Sequence, residues 1–155
     1  MLKLSIFELF ARLIPEVLVF IFAAYVFTKT KIESKQFIIS AVLLGIFVFT
    51  IRMLPINYGV HTILNIIMLT IIACTVIKAD IIDGIKSSLL TAIILFALEG
   101  INIMILRMLV GENLENIISN PVTKTLYTLP SLIGLLVVVW ICYRQLKKRK
   151  KLKDD

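Results

Sequence analysis

One histidine and two cysteines are all that the 155 residues offer toward the commonest metal and nucleophile chemistries. Both cysteines, Cys74 and Cys142, fall inside apolar stretches, so no disulfide framework is implied. His61 stands alone at the start of an apolar run, with no cysteine beside it and no second histidine, which reads as an interfacial residue or helix cap rather than a metal ligand. A Cys–His pair is out of reach, because His61 and Cys74 are thirteen residues apart on one helix and so about 20 Å apart. The chain has no GxSG element, no HExxH and no pair of intramembrane aspartates. The expectation is a protein that is not an enzyme and holds no cofactor.

Other features are missing as well. No stretch alternates polar and apolar residues, so strands are not expected. No internal repeat occurs, which removes the inverted-repeat signature of many transporters. The opening MLKLSIFELFARLIPE is interrupted by Glu8, Arg12 and Glu16 and is followed by no small-residue cleavage site, so it is not a secretory signal. A length of 155 residues allows one domain and no separate soluble catalytic domain.

What the chain has in abundance is hydrocarbon. Apolar residues make up 59% of it and the mean hydropathy is +0.99, above the level of soluble domains. Five apolar stretches, approximately 6–28, 37–54, 60–77, 89–110 and 126–143, each approach the ~20 residues that cross a bilayer as a helix. Backbone amides in lipid must be paired within the segment, so helices are the expected form. Pro55 and Gly59 bracket a tight turn between the second and third stretches. Asp80, Asp83 and Gly84 mark a break before the fourth, with Ser87 as its N-cap. The polar segment 111–124 holds Pro121 and room for an interfacial helical turn around 114–119.

The expected fold is therefore an all-α integral membrane protein, a bundle of about five transmembrane helices occupying residues 1–146, followed by a basic tail at 147–155. Lysines and arginines set its orientation. Lys29, Lys31, Lys35, Lys78 and Lys86 would share one side with the seven cations of the C-terminal region, twelve in all, against Lys3 and Lys124 on the other. Cationic loops face the cytoplasm, which puts the N-terminus outside and the C-terminus inside, in a multi-pass protein of the cell membrane, with a bacterial plasma membrane the expected setting. The tail would bind anionic lipids. It carries no aromatic residue to stack on bases, so no nucleic acid is expected as a partner.

The informative side chains are those that lipid rejects. Arg12, Glu16, Arg52, Glu99 and Arg107 lie within or at the edge of apolar stretches, where a charge at the bilayer centre costs ~2.5–3.5 kcal/mol even on the lenient scale. All fall in the outer half. Glu8, Arg12 and Glu16 share a helix face, so Arg12 can pair with either acid. Two readings stand side by side: a polar, outward-opening ligand site formed by Arg12, Glu16 and Glu99 with Asn102 and Asn65, or structural ion pairs between helices. For Arg52 and Arg107, snorkelling to the headgroups is the leading reading. Pro15 and Pro130 are placed to kink their helices, and Gly45, Gly100 and Gly134 to admit close helix approach.

The run from Leu54 to Gly111, with its turn at Gly59, Val60 and His61 and its acid at Glu99, and the later Leu129-Pro130-Ser131, carry a resemblance. Over about residues 50–140 the chain resembles the N-terminal membrane region of GHKL-type sensor histidine kinases of Gram-positive anaerobes. This chain ends in its basic tail where members of that family continue into kinase domains. The resemblance implies a stand-alone sensor-like module working beside a separate kinase or another membrane partner. The residues themselves allow a receptor-like or regulatory module that senses an amphiphilic ligand or partner helix from outside, a substrate-capture or accessory subunit of a transporter, or a structural subunit of a membrane complex.

Overall fold

The computed structural model describes residues 6–111, 119 and 121–149. Among them run five long helices and no strand: α1 (Ile6–Phe27), α2 (Ser34–Met53), α3 (Tyr58–Thr75), α4 (Ile81–Val110) and α5 (Pro121–Lys148). Four of them, all but α3, are long and apolar enough to cross a membrane. The 18 residues of α3 reach about 27 Å at 1.5 Å per residue, just short of the ~30 Å hydrocarbon layer.

Helices α2 to α5 all begin earlier than hydropathy alone places them, α4 and α5 by the most. Helix α4 starts at Ile81, with Asp80 in the N-cap position and Asp83 in its first turn, where a carboxylate meets the positive end of the helix dipole. Ser87 is thus not a cap. It is buried within α4, and its Oγ donates to the Ala24 carbonyl of α1 at 3.4 Å. Helix α5 starts on Pro121, whose missing N–H is harmless at a first helical position. The interfacial turn expected around 114–119 lies, Ser119 aside, outside the described residues, as do the tail beyond Arg149 and the side chain of Glu8.

Helix α1 is the hub. It packs against all four other helices, and α2, α3, α4 and α5 follow one another around it, while α2 and α5 do not touch among the described residues. The alternating direction of the chain gathers the C-terminal ends of α1, α3 and α5 with the N-terminal ends of α2 and α4. At that lysine-rich end Tyr25 lies against Phe37 with ring centroids 6.0 Å apart, and Phe22 against Tyr143 at 5.6 Å. Ile21, Tyr25, Leu44, Val48, Ile72, Leu135 and Val139 are fully buried in the core. A left-handed turn closes α1: the Thr30 amide donates to the Tyr25 carbonyl and the Lys29 amide to that of Val26, both at 3.1 Å, with Lys29 at φ 57°. That is a Schellman end in which lysine occupies the position glycine usually takes.

Polarity runs inside-out along α4. Its buried residues are Gly84, Ser87, Ser88 and Thr91, whereas Ile85, Leu89, Ile93, Phe96 and Met104 point outward. A soluble domain would invert this arrangement. In lipid, which is as apolar as leucine, small residues and hydroxyls do the helix packing. The inward hydroxyls are accordingly bonded: Ser88 Oγ to the Gly84 carbonyl at 2.6 Å and to Thr70 Oγ1 of α3 at 2.6 Å, and Thr91 Oγ1 to the Ser87 carbonyl at 2.8 Å.

Glycine roles differ from those expected. A Cβ on Gly134 would stand 3.3 Å from Leu98, so that glycine does let α5 approach α4. Gly84, expected to break the chain, serves the same purpose between α3 and α4, since its Cβ would come 3.1 Å from Cys74 Sγ. A Cβ on Gly45 would only just reach Leu13 at 4.0 Å, and around Gly100 there is nothing within 4 Å.

Candidate functional site

The end of the bundle opposite the lysines holds the charged residues of the spans. Arg12 and Glu16 are one turn apart on α1, with Arg12 Nε 3.9 Å from Glu16 Oε2. From α4, Glu99 brings Oε1 to 3.6 Å from Arg12 Nη2. From the last turn of α2, Arg52 donates through Nη2 to Glu16 Oε2. The result is a linear network, Arg52–Glu16–Arg12–Glu99, that ties α2, α1 and α4 together and carries no net charge.

Arg52 corrects the sequence reading. Instead of reaching out to the headgroups, its side chain is only 14% exposed and turns inward to Glu16, which is itself 10% exposed. Glu16 lies 11 residues from the C-terminal end of α1 and Arg52 18 residues from the N-terminal start of α2. Along the axes these are about 17 and 27 Å from the lysine-rich end. A gap of that size suits the long arginine stem reaching down toward a carboxylate. Arg107, by contrast, is exposed near the end of α4.

The network is graded from inside to outside. Its inner pair, Glu16 and Arg52, is nearly closed off, while the side chains of Arg12 and Glu99 remain 31% and 30% exposed. Between α1, α4 and α5, the residues Arg12, Glu16, Glu99, Thr128, Ser131 and Leu132 line a cavity of about 10 Å³, enough for one water. Thr128 and Ser131 are contributions of α5 that sequence reasoning did not assign to this site. Their hydroxyls bond within the helix, Thr128 Oγ1 to the Thr125 carbonyl at 3.0 Å and Ser131 Oγ to the Thr128 carbonyl at 2.7 Å. They surround Pro130, whose ring deprives the Leu126 carbonyl of its helical donor.

The two asparagines sit to either side. Asn102 Nδ2 donates to the Tyr127 carbonyl at 2.6 Å and so ties α4 to the proline-bearing turn of α5. Asn65 is buried on α3, and its Nδ2 lies 3.3 Å from Nδ1 of His61 one turn away. Its Oδ1 is buried without a hydrogen-bond partner. Of the five residues singled out, Glu16 and Glu99 both contact Arg12, while the hydrogen bonds of Asn65 and Asn102 lead elsewhere.

A bundle that is all-helical among the described residues, with four helices long and apolar enough to cross a membrane, an apolar exterior and hydroxyls buried within its aliphatic core, is that of a multi-pass membrane protein. No family model, curated protein or solved structure matches this chain.

Proposed function

We propose that this protein is a five-span receptor-like or regulatory module of the cell membrane, with its N-terminus outside and its C-terminus in the cytoplasm, that engages a partner transmembrane helix through Arg12 and Glu99. The single observation that carries this reading is the four-residue network in one half of the bundle, closed at Glu16 and Arg52 and open at Arg12 and Glu99. A charge left partly open to lipid is unfavourable, and a polar group on a second helix would relieve it. The cavity beside the network has room for one water and not for an amphiphile, which favours a helix over an amphiphilic ligand as the occupant. In this reading α5, which touches both α1 and α4, transmits engagement to its basic cytoplasmic end, and a separate kinase of the kind the sequence resemblance implies is the natural recipient.

The orientation rests on charge. By sequence position twelve lysines and arginines belong to one end, against Lys3, Arg52, Arg107 and Lys124 at the other. The spans themselves match a bilayer: from Lys86 to Arg107 along α4, and from Lys124 to Arg144 along α5, the rise is about 30 Å. Trp140 carries the Arg144 guanidinium 4.0 Å above its ring, an anchor suited to the headgroup boundary. With Lys78 at its inner end and His61 at its outer end, the short α3 completes the fifth crossing, the bilayer thinning slightly around it.

The test is extraction from native membranes in mild detergent, comparing wild type with Glu99→Gln and Arg12→Ala. The wild-type chain should bring down a stoichiometric membrane partner, and both variants should lose it while keeping their own helicity. If both variants retain the partner and signal normally, Arg12 and Glu99 are internal struts and the proposal fails.

A further inference from the structure

We infer a second site at the opposite, lysine-rich end: a pocket between the last turn of α1 and the first turns of α4 that takes the phosphate diester of a singly charged anionic lipid. A cavity of about 310 Å³ lies there, lined by Phe27, Thr28, Lys29, Asp83, Lys86, Ser87 and Leu90. That volume lies at the lower end of the range for small-ligand sites. It is some thirty times that of the cavity in the charged network.

The lining is electrically suited to an anion of charge one. Lys29 comes from the left-handed position of the α1 Schellman turn, and Lys86 from the second turn of α4. Against the carboxylate of Asp83 they leave one net positive charge. A doubly charged monoester would carry its excess charge beside Asp83, whereas a diester balances the pocket.

The apolar surroundings select a lipid over free phosphate. Phe27 and Leu90 line the cavity itself, and below it Ile93 and Ala97 continue the exposed face of α4 at helical spacing. Acyl chains can follow that track once the headgroup is seated. Basic pockets between spans on the cytoplasmic side have this ligand chemistry. The site does not depend on the partner-helix reading, with which it shares no residue.

The full-length protein in dodecyl maltoside is the material for the test. Thermal unfolding is followed against added dioleoyl phosphatidylglycerol, dioleoyl phosphatidylcholine or inorganic phosphate at fixed ionic strength. Phosphatidylglycerol should raise the midpoint, and Lys86→Gln and Lys29→Gln should each weaken its apparent affinity about fivefold. Lys29→Gly, which suits φ 57°, covers the case in which Lys29→Gln folds poorly. Replacing Lys147, Lys148, Arg149 and Lys150 by glutamine should leave the Lys86 dependence in place. A Lys86-dependent response to phosphate alone would overturn the lipid assignment. Equal responses to the two lipids, or wild-type titrations from both lysine variants, would overturn the site.

Discussion

Glu16 is the keystone of the charged network, and its removal yields a measurable coupling. Glu16→Gln leaves Arg12 with Glu99 but takes from Arg52 its anionic partner. Orphaning one member of a fully buried pair costs ~3–5 kcal/mol, and an arginine at the bilayer centre ~2.5–3.5 kcal/mol. Arg52 lies one residue from the end of α2, so part of that penalty disappears when the freed guanidinium swings outward. The expected loss is about 2–3 kcal/mol for Glu16→Gln. Arg52→Met should cost about 1–2 kcal/mol, because Glu16 keeps Arg12 at 3.9 Å. The double variant removes both partners at once and should lose no more than Glu16→Gln alone, which corresponds to a coupling of at least ~1 kcal/mol. Unfolding by dodecyl sulfate from maltoside micelles, followed by far-UV circular dichroism, measures all three. Losses that add within about 0.5 kcal/mol would refute the pairing, since independent sites behave that way.

Glycine substitutions should separate packing from mere occurrence in a span. Gly134→Leu must displace Leu98, which a Cβ alone would meet at 3.3 Å, and should cost about 1–3 kcal/mol in the same unfolding assay, whereas Gly100→Ala, in open space, should be neutral or stabilise by up to ~1 kcal/mol. The orientation is checked by cysteines introduced at Glu33 and at Ile56 in a background lacking Cys74 and Cys142. An impermeant maleimide applied to intact cells should label position 56 and spare position 33, and the reverse pattern would turn the whole assignment over.

The number and rough limits of the helices were legible in the sequence because hydrocarbon imposes a length and forbids unpaired amides. Where limits were misplaced, the cause was local. Asp83, Gly84 and Lys86 read as a loop by polarity, yet a membrane helix extends into the headgroup zone, where polar first turns are favourable. Depth was legible too: Arg12, Glu16 and Glu99 were placed in one half of the bundle, and they meet there. Helix rotation was not. Whether Arg52 turns outward or inward depends on which face of α2 meets α1, and nothing in an apolar helix of isoleucines and leucines marks that face. The same holds for Asn102, whose acceptor is a backbone carbonyl of α5 and so has no signature among side chains. Gly100 and Gly134 are equivalent by composition, and only packing distinguishes them.

Under the proposed partner-helix reading, the gradation within the network separates what holds the bundle together from what is left for recognition. Glu16 and Arg52 are shielded, and their mutual bond joins the central helix to α2; changing either acts on stability. Arg12 and Glu99 join α1 to α4 at 3.6 Å with about a third of each side chain still accessible. A purely structural bridge would do better buried, because exposure to lipid adds cost without improving the pair. A recognition pair has the opposite requirement, since its second set of hydrogen bonds must remain available until a partner supplies them. Stability and partner retention should therefore come apart along the network: losses at Glu16 and Arg52 appear in unfolding, and losses at Glu99 appear in binding before they appear in folding.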